Sequence, residues 1–440
     1  MALATMLAVL GSAGSVADNL WVVGAAIIAM VALQCAFVAV DSLRRISHAN
    51  AQRAREAQLL DLRVAMARKR RDAEQQQTLA WNGWRKFTIG LRVQESADVC
   101  SFYLKPHDGK ALPRFKPGQY LTFRLDIPGQ PKPVVRCYSL SDSVHEDYYR
   151  VSIRRVGASK SNAQPGLASC FFHDHLQLGE IVDVKAPSGN FYLDLDSTHS
   201  VVLLAAGIGV TPVLSMLNAM VAQGSLSRRV HFFYGVGNSE EHSFRQHLDQ
   251  LAQAHAELKV HTCYSRPSEK EAVGKDYHSK GHVSIDVLKK VLPSNNFHYY
   301  LCGPPAMMES LIKELKLWGV PDAHIHSEAF GAPTVSAIAK ATTGAALQAV
   351  AEKQAGTISV EFTRTGRSGM WKPSDGTLLE FAEANQVPIA SGCRAGNCGT
   401  CTVAIRKGEV TYPTEPGFQA ENGSCLTCCC MPKSELVLDA

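Results

Sequence analysis

The stretch SGCRAGNCGTC, residues 391–401, sets Cys393, Cys398 and Cys401 at the spacing C-x4-C-x2-C. Three thiolates so spaced in one loop are the pattern that holds a [2Fe–2S] cluster, with a fourth cysteine from further along. Gly392, Ala395, Gly396, Gly399 and Thr400 are small enough to bring backbone N–H groups close to cluster sulfurs, which favours the reduced state. Cys425, Cys428, Cys429 and Cys430 follow. A zinc ribbon is the rival, because Cys398-x2-Cys401 and Cys425-x2-Cys428 are also paired knuckles. It leaves Cys393 idle, so iron–sulfur is the better reading. Seven of the 13 cysteines lie between Cys393 and Cys430, and such a terminal cluster points to metal ligands rather than a disulfide framework. Residues 356–440 around it read as strand, helix (Leu378 to Asn385), cysteine loop and further strands.

Upstream, VVLLAA (Val201 to Ala206) is a continuous apolar run of the kind buried on both faces of a parallel sheet. It ends in Gly207-Ile208-Gly209-Val210-Thr211-Pro212, a glycine turn opening a helix from Thr211. As a dinucleotide fingerprint the turn is irregular. Pro212 stands where a third glycine is usual, and no acidic residue ends the next strand, Val230 to Tyr234. A second strand end follows in YYLCGPPAMM (Tyr299 to Met308), with Cys302, Gly303 and Pro304. Ligands of open parallel sheets bind at the carboxyl ends of strands, so two such turns support one nucleotide site. Taken alone, Cys302 reads equally well as a small core residue. Residues 198–332 therefore read as an α/β parallel-sheet domain, and 333–355, rich in Ala and Thr, as a linker.

Residues 81–197 carry short alternating runs, Tyr120 to Leu125 and Tyr149 to Val156, broken by Pro, Gly and Asp turns, the pattern of an antiparallel β-barrel. Within it RCYSLS, Arg136 to Ser141, follows the turn PGQY, Pro117 to Tyr120. Arg136 offers forked donors to a pyrophosphate, Tyr138 a flat face to a ring system and Ser139 a small donor. Gly166, Leu167, Ala168 and Ser169 then open the helical stretch CFFHDHL, and a helix start of this kind points N–H groups at an anion. Singly these are an ordinary sheet segment and an ordinary helix start. Together they make one cofactor site.

The N-terminal part differs. Residues 21–40, WVVGAAIIAMVALQCAFVAV, hold no charge and one strongly polar side chain, Gln34. A helix of that length, rising about 1.5 Å per residue, covers the ~30 Å hydrocarbon core of a bilayer. No Lys or Arg precedes the run and no small-x-small site follows before Asp41, so an uncleaved transmembrane anchor is favoured over a signal peptide. Residues 41–80 carry nine Lys/Arg against five Asp/Glu, so most of the formal charge of +5 is local to this segment. Basic residues just past a span hold that side in the cytoplasm, where the C-terminal bulk is expected. The segment reads as a basic helical stalk able to lie on anionic headgroups. One basic run, Arg68 to Arg71, beside a span is a topology signal, and no nucleic-acid partner is expected. At 440 residues, 46% hydrophobic and 19% charged, the chain has room for several cores and is no rod, collagen or disordered polymer.

These motifs, over residues 81–440, resemble the ferredoxin–NADP reductase superfamily, in the branch of phthalate and benzoate dioxygenase reductases, hybrid-cluster-protein reductases and the reductase half of flavohaemoglobins. The resemblance implies a multidomain chain: an FAD-binding barrel, an NAD(P)-binding domain and a ferredoxin-like (β-grasp) [2Fe–2S] domain behind the added anchor. It implies that Arg136 contacts the FAD pyrophosphate, Tyr138 and Tyr120 the flavin region, Ser139 the edge near N5, and Gly166 to Ser169 the phosphates. Gly207, Gly209, Thr211 and Pro212 would bind the nicotinamide dinucleotide, with Cys302, Gly303 and Pro304 closing the nicotinamide side. EAFGAP, Glu328 to Pro333, resembles the flavohaemoglobin end, so Phe330 would shield the flavin. Relatives place the fourth cluster ligand four residues before a proline, here Pro432, which selects Cys428 beside Cys393, Cys398 and Cys401; Cys429 is next.

The expected activity follows. NAD(P)H gives two electrons as hydride while many acceptors take one at a time, so a flavin stands between them and the cluster is the one-electron exit. Thr211 and Cys302 are expected to position the nicotinamide and Ser139 to lie near N5, positioning carrying most of the catalysis. The ferredoxin-like part has seven Lys/Arg and nine Asp/Glu, which suits a basic patch on a protein acceptor such as an oxygenase or desaturase at the cell membrane. A reductase of quinone or another small acceptor, and a zinc-ribbon scaffold without electron transfer, are the alternatives. NADH is favoured over NADPH, since Arg245, Ser265, Arg266 and Lys275 read better as surface residues than as a 2′-phosphate site.

Overall fold

In a computed structural model of the chain the described residues are 16–158, 165–224, 226–328, 330, 357–392, 394, 396, 399–413, 416, 418 and 420–440. The expected linker 333–355, and Cys393 and Cys398 of the cluster loop, lie outside them. The chain divides into two units, Met1–Gln77 and Thr78–Ala440.

Helix α1 (Val16–Leu79) is one helix of 64 residues, so anchor and stalk are continuous. Neither glycine nor proline interrupts it after Gly24. Its stretch Leu20–His48 has a mean hydropathy of 2.4 and none of it is buried within the protein. Ile28, Leu33 and Phe37 are each more than two-thirds exposed. By length and composition this is one helix long and apolar enough to cross a membrane.

In the second unit, β1 (Arg85–Gln94), β2 (Val99–Pro106), β3 (Tyr120–Leu125), β4 (Val134–Ser139), β5 (Tyr149–Arg154) and β6 (Ile181–Val184) form an antiparallel sheet in the order β4-β3-β6-β1-β2-β5. Its edges meet at a bridge from Leu140 to Val151, so the sheet curls round its own core. Helix α2 (Leu167–Asp174) fills that curl: Phe172 is fully buried and meets Phe102, Phe123 and Tyr138 edge-on at 5.2 Å each. Burying a ring of this size contributes about 1.5–3 kcal/mol.

Strands β7 (Val201–Ala206), β8 (Val230–Val236), β9 (Leu258–Tyr264), β10 (Ser279–Lys280), β11 (His298–Cys302) and β12 (Ile325–Glu328) form a parallel sheet in the order β10-β9-β8-β7-β11-β12. Alternate residues of VVLLAA serve opposite cores. Val201, Leu203 and Ala205 face α3 (Val210–Ala222) and α4 (Arg245–Ala254), while Val202 and Leu204 face α5 (Ile285–Val291) and α6 (Pro305–Leu317). Burial on both faces is why the run carries no polar alternation.

The C-terminal sheet runs β14-β13-β19-β15-β17, from β13 (Ile358–Phe362), β14 (Arg367–Trp371), β15 (Thr402–Lys407), β17 (Ser424–Leu426) and β19 (Leu436–Leu438), beside a short ladder of β16 (Val410–Thr411) and β18 (Met431–Pro432). Thr377 and Glu380 form a capping box that starts α7 (Leu378–Ala384), whose Leu378, Phe381 and Ala382 pack on that sheet.

Candidate active site

The direction of the crossovers reverses on either side of β7, and the carboxyl ends of its strands open a crevice there. A Cβ on Gly209 would fall 2.2 Å from the carbonyl oxygen of Cys302, so only glycine lets the turn close against β11. Parallel pairing sets Cys302 beside Ala205 on one side and Glu328 on the other. From the first sheet, Ser139 Oγ donates to Glu328 Oε2 at 3.4 Å. All three side chains are buried: Cys302 at 0%, Ser139 at 5% and Glu328 at 7% exposure. Burial, and then the charge of Glu328, pushes the Cys302 thiol well above its ordinary range, so it stays a neutral thiol.

The structure therefore brings Ser139, Cys302 and Glu328 together. Thr211 contributes differently: it is buried, and its Oγ1 donates to Ile208 O at 3.0 Å inside the turn. Pro212 is buried in the first turn of α3, and Gly303 is held tightly, a Cβ there lying 2.8 Å from Met307 Sδ. Glu328 was not among the expected site residues. Its signal is an acid one strand away from Cys302, which is visible only once β11 and β12 are paired.

On β4, Arg136 and Tyr138 share one face and Ser139 lies on the other. Tyr138 packs on Phe172 in the second turn of α2, so it shares a side with that helix. Gly166 caps α2 closely, for a Cβ there would lie 2.6 Å from Ser169 Oγ and 2.9 Å from Val156 Cβ. The Ser169 hydroxyl accepts from the Val156 N–H and donates to Gly166 O. What this helix start offers a ligand is the first-turn N–H groups of Leu167, Ala168 and Ser169. Tyr120 is buried opposite Ser139 across the β3–β4 pairing, and Phe330 lies two residues past Glu328 at 37% exposure.

In the cysteine loop, the Gly396 N–H donates to Cys428 Sγ at 3.3 Å. Gly396 has φ +71°, and a Cβ on it would stand 2.8 Å from Cys429 Sγ. Cys401, Cys428 and Cys429 are buried together, whereas Cys430 packs with Cys425 against Val360 and Phe362. Its hydrogen bond with Cys425, and then burial, pushes the Cys430 thiol well above its ordinary range, as suits a core thiol. Among the described residues no three His, Cys, Asp or Glu side chains converge as a metal-ligand set, Cys393 and Cys398 not being among them.

Beyond the end of β8 lies the 3₁₀ turn Ser239–Glu241. Glu241 Oε2 accepts the Gly237 N–H at 3.1 Å and Oε1 pairs with Arg266 at 2.7 Å. Arg245 pairs with Asp276 at 3.2 Å.

A cavity of about 790 Å³ lies at the opposite end of the parallel sheet, lined by His199, His298, His324, His326, Arg228 and Tyr300 among others. None of the expected site residues lines it. Burial, then the neighbouring histidines, lowers the His298 pKa to about 4, and burial brings His242 and His261 to about 4 as well. The ordinary value of 6.5 belongs to the unfolded chain, which therefore takes up protons between pH 6.5 and 4 that the fold refuses. Stability is thus expected to be intact above pH 6.5 and to fall as pH drops through that window. Urea midpoints at pH 7.5 and pH 5 check this, equal midpoints contradicting it.

Residues 86–192 match the oxidoreductase FAD-binding domain family, 203–313 the oxidoreductase NAD-binding domain family and 370–433 the 2Fe-2S iron-sulfur cluster binding domain family. A flavohemoprotein of Bacillus cereus is 38% identical over 251 residues, 57% of this chain and 62% of the relative, so this chain spans less than two thirds of that protein. The flavohem-like FAD/NAD-binding domain of a nitric oxide dioxygenase from Vibrio cholerae is 32% identical, with a TM-score of 0.51, covering 56% of this chain and 98% of that one. The chain belongs to the ferredoxin–NADP reductase superfamily. A type IV self-sufficient cytochrome P450 monooxygenase, 21% identical, shares the fold over 81% of this chain and 41% of its own, with a TM-score of 0.53. As a superfamily member it carries an FAD-binding, an NAD-binding and a C-terminal [2Fe–2S] cluster-binding domain.

The residues present fit those groups. The glycine-capped start of α2 presents first-turn N–H groups that suit a phosphate, and the Gly396 N–H aimed at a buried cysteine sulfur is the contact a cluster thiolate uses.

Proposed function

We propose that this chain is an NAD(P)H-dependent electron-transfer reductase that is anchored in the cell membrane by Leu20–His48 and, from the cytoplasmic side, passes electrons to a protein acceptor such as an oxygenase or desaturase. The observation that carries the reading is an unburied apolar helix, followed by a basic segment, on the same chain as the FAD, NAD(P) and [2Fe–2S] modules. When bound, FAD supplies the junction between two-electron and one-electron chemistry, and the cluster the one-electron exit. The protein's part is positioning. Arg136 and the first-turn N–H groups of Leu167, Ala168 and Ser169 hold the FAD phosphates, Tyr138 and Tyr120 line the flavin region, and Phe330 covers it. Gly207, Gly209, Thr211 and Pro212 shape the dinucleotide turn, and Cys302, Gly303 and Pro304 bound the nicotinamide. Ser139 and Glu328, the serine hydroxyl donating to the carboxylate, offer acceptor oxygens where the two rings would meet. Cys401 and Cys428, with Cys393 and Cys398, hold the cluster; the Gly396 contact supports Cys428 as the fourth ligand.

The pairing of Arg266 with Glu241 and of Arg245 with Asp276 supports NADH. A 2′-phosphate would have to displace those carboxylates, and it would lie next to one of them. Detergent-purified protein reduced anaerobically with each nucleotide is expected to show kcat/KM for NADH at least about tenfold above NADPH, roughly 1.4 kcal/mol; a preference for NADPH reverses the assignment. Flotation with neutral phosphatidylcholine vesicles, which the basic stalk does not attract, tests the anchor. Full-length protein is expected to float and a chain lacking residues 1–48 to remain below, and equal behaviour sinks the membrane reading.

A further inference from the structure

We infer that Asp142 is the positioning residue that sets the spacing between the flavin strand and the nicotinamide helix, an inference that rests on the roles proposed for Ser139 and Thr211. Asp142 stands three residues beyond Ser139, where the chain leaves β4. Its backbone carbonyl accepts Ser215 Oγ at 2.7 Å and its Oδ1 accepts Asn218 Nδ2 at 2.9 Å. Both donors are on α3, one and two turns beyond Thr211, and both are buried. Asn218 Oδ1 in turn meets His247 Nε2 of α4 at 2.7 Å.

The barrel side of Asp142 is equally constrained. Arg150, only 8% exposed, sets Nη1 3.5 Å from Asp142 Oδ2, bonds the carbonyl and hydroxyl of Ser141, and lies over the ring of Phe244, the residue that caps α4. His145 Nε2 and the Tyr148 hydroxyl also approach Oδ2, at 3.6 and 3.5 Å. Ser141 Oγ continues inward through Ser152 and Ser101 to Glu95, each step between 2.5 and 2.7 Å. One carboxylate thus ties a buried polar ladder of the first sheet to the helix that starts at the nicotinamide turn. Such a network, satisfied on every side, has one arrangement, and losing one member lets the two sheets slide.

Hydride transfer depends steeply on the gap it crosses, a misplacement of about 1 Å costing on the order of 100-fold. Asp142 touches neither ring, so its loss should slow the step without releasing the cofactors. The test is anaerobic stopped-flow reduction of bound flavin at saturating NADH in the holoenzyme, with FAD and iron content measured alongside. Asp142→Ala is expected to lower the limiting rate about tenfold with apparent nucleotide affinity within about twofold, and Asp142→Asn, which keeps an acceptor for Asn218, to recover most of it. The double variant Ser215→Ala/Asn218→Ala breaks the same peg from the helix side without touching the barrel, and the same tenfold loss is expected. Wild-type limiting rates in that double variant overturn the peg, as does an Asp142→Asn loss as deep as that of Asp142→Ala. A wild-type holoenzyme that neither NADH nor NADPH reduces sinks the electron-transfer reading itself, and the peg with it.

Discussion

Gly209→Ala is expected to lower kcat/KM for flavin reduction by NADH at least about 100-fold, close to 2.7 kcal/mol of transition-state stabilisation. The added Cβ would lie 2.2 Å from Cys302 O, 2.5 Å from Cys302 C and 2.8 Å from Gly303 N. All three are backbone atoms of a buried parallel strand end, so no side-chain rotation relieves the clash. Either the turn lifts away from β11 or the end of β11 moves, and in both cases Thr211 and Cys302 leave their places together. FAD and iron contents should stay at wild-type levels, because the glycine lies in neither the curled sheet nor the cysteine loop. Gly157→Ala is the matched comparison, since a Cβ there meets only Arg155 Nη1 at 3.8 Å, and it should stay within about twofold of wild type. Stopped-flow reduction of each variant decides the point; a Gly209→Ala enzyme of normal kcat/KM would refute the crevice as the dinucleotide site.

Cys428→Ala is expected to abolish cluster assembly. Iron falls from about two atoms per chain to background, and transfer to a one-electron protein acceptor falls at least about 100-fold. Flavin reduction by NADH should continue near the wild-type rate, because Ser139, Cys302 and Glu328 belong to other sheets. Cys430→Ala should keep both irons, its thiol being a core group packed with Cys425, Val360 and Phe362. Iron and acid-labile sulfide analysis with electron paramagnetic resonance of the reduced protein distinguishes the two. A Cys428→Ala protein with a full cluster, or a Cys430→Ala protein without one, would move the fourth ligand elsewhere.

The sequence was most legible where chemistry demands a residue type at a set spacing in a single segment. C-x4-C-x2-C pointed to its cluster by spacing within about a dozen residues, whereas RCYSLS and the turn after VVLLAA, ordinary singly, pointed to FAD and a nicotinamide dinucleotide only in combination and through the family resemblance. The apolar run at 21–40 does lie in one helix, and its length and composition suit a membrane span without any tertiary context. Legibility failed where the partner was remote. Among Cys428, Cys429 and Cys430 spacing has no preference, and it is the fold that sends Cys430 into the core and turns Cys428 toward the Gly396 N–H.

By itself, then, the chain's order of residues determined which cofactors it is built for and which segment is suited to lipid. Tertiary structure alone decided which side chains meet. Glu328 reaches Ser139 from 189 positions away and Asp142 reaches Asn218 from 76. Local patterns follow from what a short backbone segment can hold, whereas these meetings follow from how the curled sheet packs on the parallel-sheet domain, which no stretch of sequence records on its own.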